Sequence, residues 1–151
     1  SEIKKSPKSK QYKNKKYVTA LFTDINSEYY DAINISYKMK DKQYIIQGVS
    51  GSKDYNNNID ECYKNQNKVF NELKKLFKDA ENSENNLIKV KWSKTATTNQ
   101  SFMKLKDGSF AGVQCFNYGK DDKKKYKIKD LMRVSLFTKE YNYWLVNIAY
   151  K

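Results

Sequence analysis

NIDECYKNQNKVFNELKKLF, residues 58–77, is the clearest helical pattern in this sequence. Its apolar residues recur mostly every three or four positions, which lines one face of a helix. They are Ile59, Cys62, Val69, Phe70, Leu73, Leu76 and Phe77. Asn58 followed three residues later by Glu61 is typical of a capping box, so the helix should begin there. We expect this helix to pack on a sheet and to direct Cys62 into the core.

The segments on either side of this helix read as strands. Residues 33–39 alternate apolar and polar side chains, and 43–52 return after a short turn, which predicts a hairpin. The other predicted strands are 17–24 (strand or short helix), 87–95, 101–105, 109–119, 131–138 and 141–151. Parallel strands would need a crossover between each pair, and only one convincing helix is present. The fold class is therefore predicted as α+β, with one long helix on a curved antiparallel sheet of about five to seven strands built from hairpins.

The 151 residues fit one domain, which at this length buries roughly 70% of its unfolded surface. Residues 1–16 contain the only Pro and almost no apolar side chain, so burial cannot offset the entropy of ordering them. We predict a flexible basic tail over 1–16 and a single domain over 17–151. No apolar run approaches the ~20 residues of a membrane helix.

The net charge of +13 is unevenly distributed. Residues 1–16 contribute +6 and residues 120–129 contribute +4, which leaves +3 for the rest. Lys interleaved with Tyr in these segments could bind nucleic acid, anionic lipid or another polyanion. The candidate residues are Lys10, Lys13, Lys15 and Lys16, and Lys123, Lys124, Lys125 and Lys127. The alternatives are a solvated tail and loop, and a Lys content that reflects AT-rich coding.

Of the 30 basic residues, 29 are Lys and only Arg133 is Arg. Readers of base edges favour the planar fork of Arg, so sequence-specific DNA binding is not expected.

Cys62 lies on the helix stripe, and Cys115 follows Ala111 and Val113 on the apolar side of a strand. Both side chains should face one core, which favours a disulfide; the alternative is two buried free thiols. The first residue is Ser and no apolar signal segment is present, so we expect either a processed mature chain or a trimmed one. Together these features predict a periplasmic or secreted protein, with a cytoplasmic one as the alternative.

The chain contains no His. This removes the Ser-His-Asp triad, Cys–His pairs and His-ligated metals, and two cysteines alone do not make a zinc site. The glycines form neither G-x-G-x-x-G nor a P-loop, so we expect no nucleotide cofactor. Residues 54–58 open like a calcium loop but lack its Gly and its final Glu. We predict no catalytic residue, no metal and no cofactor.

Three segments carry a resemblance: IDEC (59–62), VQCF (113–116) and the end with LMRVS (131–135) and YWL (143–145). They resemble small exported bacterial α+β proteins of unknown function, in which a strand hairpin precedes a helix with one Cys and a later strand carries the second. The resemblance covers roughly two thirds of the chain. It implies no activity.

The sequence thus favours a non-enzymatic exported interaction or ligand-binding domain, with the sheet face or hairpin loops as contact surface. An envelope or extracellular protein, or a polyanionic surface, would be its partner. The alternatives are nonspecific polyanion binding through the tail and the 120–129 loop, and, last, an enzyme without His.

Overall fold

In the computed structural model, which describes residues 8–23, 25–91 and 93–149, the chain forms one antiparallel sheet and three helices. The strands are β1 (Lys8–Gln11), β2 (Tyr17–Phe22), β3 (Ala32–Lys38), β4 (Ile46–Asn56), β5 (Glu81–Lys89), β6 (Thr97–Lys104), β7 (Phe110–Asn117) and β8 (Asp130–Phe137). The helices are α1 (Ile59–Leu76), α2 (Lys120–Tyr126) and α3 (Lys139–Asn147). No helix of this described part is long and apolar enough to cross a membrane.

The sheet consists of two four-stranded meanders joined edge to edge. Its order is β1-β2-β3-β4-β8-β7-β6-β5, and α1 carries the chain from the first meander to the second. Each neighbouring pair is antiparallel, as expected of hairpins. The predicted α+β class and antiparallel sheet are confirmed. Seven strands have six residues or more, and the four-residue β1 extends the edge.

Helix α1 begins at the predicted N-cap Asn58, but Glu61 bonds back to the side chain of Asn58 rather than to its backbone N–H, which donates to the Tyr55 carbonyl. Asn58 Oδ1 accepts a hydrogen bond from the Glu61 amide at 3.2 Å, and Asn58 Nδ2 donates to Glu61 Oε2 at 3.0 Å. The helix buries Cys62, Gln66, Phe70 and Leu73. These side chains pack on a core that includes Met103, Ala111, Val113, Cys115 and Met132.

The two faces of the sheet carry different side chains. We call the side on which α1 packs the helix face; it includes Val49, Val113 and Val134. We call the other side the opposite face; it includes Ser52 and Arg133, which pair directly across β4 and β8. Register fixes this division, because residues paired across neighbouring strands point to the same side.

The C-terminal segment is a helix, so the prediction of a strand over 141–151 is wrong. Thr138 caps α3 by accepting a hydrogen bond from the Tyr141 amide at 3.3 Å. Tyr141 and Trp144 are three residues apart and buried, which is helical spacing. Aromatic and β-branched content masked this period in the sequence. The last two residues, 150–151, lie outside the described part of the chain.

A second core lies between α3 and the opposite face of the first meander. It consists of Tyr12, Tyr17, Tyr141, Trp144 and Ala149. The Tyr12 and Trp144 rings meet edge to face at 4.9 Å. β1 and Tyr12 fall within the segment predicted to be a flexible tail, so from Lys8 onwards that segment contributes a strand and a core residue. Residues 1–7 lie outside the described part.

Residues 120–126 form helix α2, where the sequence predicted a loop. Its last turn ends at Lys127, whose φ of 52° is left-handed. The Asp122 carboxylate accepts hydrogen bonds from Ser93 and Thr95, which tie α2 to the β5–β6 connection. Strand β5 likewise begins at Glu81, within the predicted polar stop, and ends at Lys89 rather than at residue 95. Trp92, in that predicted strand, lies outside the described residues.

Candidate functional site

A groove runs along the helix face, between α1 and strand β3. It consists of three adjacent clefts with volumes of about 240, 160 and 320 Å³. The first two share Tyr30, and the second and third share Val49 and Leu136. The shared residues make the three clefts one continuous groove, whose floor is formed by β4 and β8.

The floor of the groove is apolar because alternate residues of three strands point to the helix face. Ile33, Val49 and Leu136 line its middle, and Phe77 and Leu105 line its far end. Leu136 keeps 38% of its surface exposed although it lies on a central strand. Helix α1 therefore packs mainly on β7, and it leaves apolar surface along β3, β4 and the end of β8.

Tyr30 lies across the groove, and Gly51 makes room for it. A Cβ built on Gly51 would lie 2.6 Å from Cδ1 of the Tyr30 ring, closer than real Cβ contacts allow. Burial raises the pKa of the Tyr30 hydroxyl above its ordinary value. A side chain at position 51 would thus displace the ring that borders both the first and the second cleft.

Hydrogen bonds hold the segment that carries Tyr30. Ser27 Oγ accepts from the amides of Tyr29 and Tyr30, both at 3.2 Å. Lys53 Nζ donates to the Glu28 carbonyl at 3.0 Å, and Asp31 Oδ2 accepts from the Asp54 amide at 2.7 Å. The segment is therefore attached to β4 on both sides of Tyr30.

The end of the groove nearest the start of α1 is polar and cationic. Lys53 and Lys68 line it, with Asn65 donating a hydrogen bond to the Tyr55 hydroxyl at 2.9 Å. Burial is the main cause that raises the pKa of Tyr55. None of the ion pairs among the described residues includes Lys53 or Lys68. Lys68 is thus available to an anionic group in this cleft, and the Lys53 ammonium keeps two further N–H donors beside its bond to the Glu28 carbonyl.

Chemically, the groove offers apolar contact with cations at one end. Ligand sites are concave and mostly apolar, with a few polar groups that fix orientation. Within the described ranges, no group of three or more Cys, Asp or Glu is placed to hold a metal ion. The arrangement can bind an elongated apolar group that ends in an anion.

The predicted cysteine pair lies in the core beneath α1, away from this groove. The Cys62 and Cys115 Sγ atoms are 1.97 Å apart, at disulfide-bonding distance, and both residues are fully buried. The helix stripe and the strand alternation predicted this placement correctly. The pair is a structural link between α1 and β7.

The two predicted basic segments do not meet. Lys13, Lys15 and Lys16 lie in the β1–β2 turn, beside the start of β2, whereas α2 connects the end of β7 to the start of β8. The paired length of β4 and β8 separates these ends of the sheet by about 25 Å. The side chain of Lys10 lies outside the described part.

Two of the predicted polyanion-binding lysines are engaged in ion pairs. Lys16 Nζ lies 2.9 Å from Glu140 Oε1, and Lys123 Nζ lies 2.7 Å from the buried Asp130 Oδ2. Lys13, Lys15, Lys124, Lys125 and Lys127 are exposed. The structure therefore does not bring the predicted lysines together into one site.

The sequence did not single out the groove residues Tyr30, Lys68 and Leu136. The strand alternation correctly placed Ile33 on the apolar side of its strand. The sequence did not show which part of the sheet the helix leaves uncovered, because this depends on contacts between residues far apart along the chain. No protein-family model, no curated protein and no solved structure matches this chain.

Proposed function

We propose that this chain is a non-enzymatic, exported ligand-binding or interaction domain, and that it binds its ligand in the groove on the helix face. The continuity of the three clefts through Tyr30, Val49 and Leu136 carries the proposal. A closed core would have left no such strip of apolar sheet beside its main helix. The ligand class that suits the groove is an elongated apolar molecule or segment with an anionic group.

The orientation of the ligand follows from charge. Its anionic group lies beside Lys53 and Lys68, and its apolar part extends over Val49 and Leu136 towards Phe77. Burial of apolar surface supplies most of the affinity, at about 25 cal/mol per Å². The lysines contribute less, because exposed ion pairs are worth about 1 kcal/mol or less.

Sodium octanoate and 1-octanol test the proposal by NMR titration of backbone amides. Octanoate should shift the signals of Val49, Gly51 and Leu136 in a saturable way. Leu136→Lys places a charge on the groove floor and should weaken octanoate binding by about tenfold or more. Leu87→Lys is the matched control, since Leu87 is 65% exposed on edge strand β5, and should leave binding unchanged. If neither compound shifts the groove signals, the groove is not a ligand site.

The cationic end is tested by Lys68→Gln. This change should weaken octanoate binding by about twofold to fivefold and leave 1-octanol binding unchanged, because only octanoate is charged. Lys125→Gln, which removes an exposed lysine of α2, is the control. An equal loss for both ligands would contradict the assigned orientation.

Export is supported by the Cys62–Cys115 pair, because disulfides persist in oxidising compartments. Protein isolated from its native cells and alkylated without reductant should keep its mass. Addition of two alkyl groups would place the protein in a reducing compartment and refute export.

Nonspecific polyanion binding is the second candidate. Lys120, Lys124, Lys125, Lys127 and Lys129 are exposed within ten residues, which is the observation in its favour. Binding of single-stranded DNA or heparin should then weaken steeply between low and physiological salt, and Lys124→Gln/Lys125→Gln should reduce it. A flat salt dependence would exclude this candidate. An enzyme without His remains the least favoured reading.

A further inference from the structure

Arg133 occupies a central position on the opposite face of the sheet. It lies on β8, the fifth strand in the sheet order, directly between Ser52 of β4 and Gln114 of β7. It is half-buried, and its guanidinium carbon lies 5.1 Å from the centre of the Phe116 ring. This position is on the other side of the sheet from the groove.

The Arg133 guanidinium lacks an acidic partner. None of the ion pairs among the described residues includes it, and its buried Nε makes no hydrogen bond. By register, Asp54 is the carboxylate nearest along β4, two pairs further on and on the same face. Asp54 Oδ2 instead lies 3.4 Å from Lys129 Nζ.

A second polar group near Arg133 is also unpartnered. Ser135 follows two residues later on β8 and so points to the same face. It is 4% exposed, and its hydroxyl makes no hydrogen bond to any residue in the described part of the chain. Burying a hydrogen-bonding group without a partner is costly, so two such groups side by side indicate that a ligand completes them.

The type of cation points to the class of ligand. Every other basic residue of the chain is Lys, including those that stack on aromatic rings or cover surface elsewhere. Packing on Phe116 alone would therefore not require Arg. The guanidinium differs from an ammonium in its planar fork of donors, which matches the two oxygens of a carboxylate.

We infer that the opposite face carries a carboxylate-binding site, in which the Arg133 guanidinium binds both carboxylate oxygens. The Ser135 hydroxyl donates a further hydrogen bond, and Gln114 borders the site across the strand pair. The Phe116 ring lies beside the guanidinium and supports it by a cation–π contact. The site lies on the other face of the sheet from the groove and does not depend on it, although Ser135 also borders the middle cleft.

Titration of the Arg133 Nε–H signal by NMR tests this inference, with sodium benzoate as probe and neutral, similarly shaped benzamide as control. Benzoate should shift the signal saturably; benzamide, and sodium chloride at equal ionic strength, should not. Arg133→Lys should weaken benzoate binding by about tenfold, because it keeps the charge and loses the fork. Lys104→Met, which removes an exposed lysine of β6, should leave binding unchanged.

Four outcomes would overturn the inference: no shift with benzoate, an equal shift with benzamide, equal affinity in Arg133→Lys, or tighter binding of inorganic phosphate. The wild-type titration decides the first two even if a variant fails to fold. Octanoate is a carboxylate and would reach both sites, so 1-octanol, read at Val49 and Leu136, reports on the groove alone, and benzoate, read at the Arg133 Nε–H, reports on the carboxylate site. Failure of one site therefore does not count against the other.

Discussion

Gly51 shapes the groove because it has no side chain and so leaves room for the Tyr30 ring. Gly51 lies on central strand β4, where a side chain would normally help to fill the core. Instead the Tyr30 ring, from the segment before β3, occupies the place where a Cβ would be. A residue without a side chain in a strand often marks such a close approach. The sequence shows the glycine but not its partner, because Tyr30 lies 21 residues away and outside any predicted strand.

Gly51→Ala should destabilise the protein by about 1–3 kcal/mol, because the new methyl group forces the Tyr30 ring aside. Chemical denaturation measures this change. Ser52→Ala, the next residue, which faces the opposite side of the sheet, should alter stability by about 0.5 kcal/mol or less. Equal stabilities of Gly51→Ala and wild type would mean that Tyr30 does not pack on β4 as described.

At the scale of elements, helices α2 and α3 are the features that the sequence pattern missed. α1 was predicted because the apolar spacing repeats several times over its 18 residues and because the N-cap residue Asn58 is recognisable in the sequence. α2 has seven residues and no buried side chain, so its sequence shows no helical spacing of apolar residues. α3 has nine residues rich in strand-forming types, and packing against Tyr12 and Tyr17 decides its conformation.

Helix α2 is anchored through Asp130 rather than through its own apolar contacts. Asp130 is 1% exposed; its Oδ1 accepts from the Tyr118 amide at 2.9 Å, and its Oδ2 accepts from Lys123 Nζ at 2.7 Å. Asp130→Asn removes the charge opposite Lys123 and should cost about 2–4 kcal/mol, because it breaks a largely buried pair.

The matched control for Asp130→Asn is Asp54→Asn, which breaks the exposed pair with Lys129 and should cost about 1 kcal/mol or less. Both are measured by denaturation, and amide exchange in α2 should rise only for Asp130→Asn. Equal costs for the two variants would contradict the anchoring role.

Glu140 fixes the first turn of α3 to the sheet and makes stability depend on pH. Hydrogen bonds from Lys16 and Lys38, at 2.9 and 3.0 Å, lower the pKa of its carboxyl from 4.5 to about 2. A pKa lowered by folding adds stability above pH 4.5, and this contribution disappears as the pH falls from about 4.5 to about 2. The Glu140 side chain is 50% exposed, so solvent screening limits the contribution to about 1 kcal/mol.

Glu140→Gln should therefore be less stable than wild type by about 1 kcal/mol at pH 6 and equally stable near pH 2. Urea denaturation across this pH range measures the difference in unfolding free energy between the two proteins. The other carboxyl groups are the same in both proteins, so their titration does not contribute to this difference. A stability difference that stays constant from pH 6 to pH 2 would show that protonation of Glu140 does not weaken its ion pairs with Lys16 and Lys38.

At the scale of the whole molecule, two of the three predicted hairpins and the cysteine placement were correct, and the joining of the two meanders was not predictable. Turn residues and alternation specify β3–β4 and β6–β7 locally. The pairing of β4 with β8, which creates the single sheet and the groove floor, joins residues about 80 positions apart and leaves no local pattern. The uncovered strip beside α1 follows from that pairing, which is why sequence alone predicted a contact surface without its location.

The Cys62–Cys115 bond joins α1, which connects the two meanders, to β7 of the second meander and closes a loop of sequence separation 53. Closing a loop of this length restricts the unfolded chain by about 4 kcal/mol on the chain-entropy model. Cys62→Ala/Cys115→Ala, and the wild type in reductant, should both unfold at lower denaturant than the oxidised protein. The reduced wild type keeps both buried sulfurs, so it separates the loop-closure effect from the loss of core volume. A reduced protein as stable as the oxidised one would show that α1 is held to β7 by packing alone, because the native contacts around Cys62 and Cys115 would then suffice without the bond.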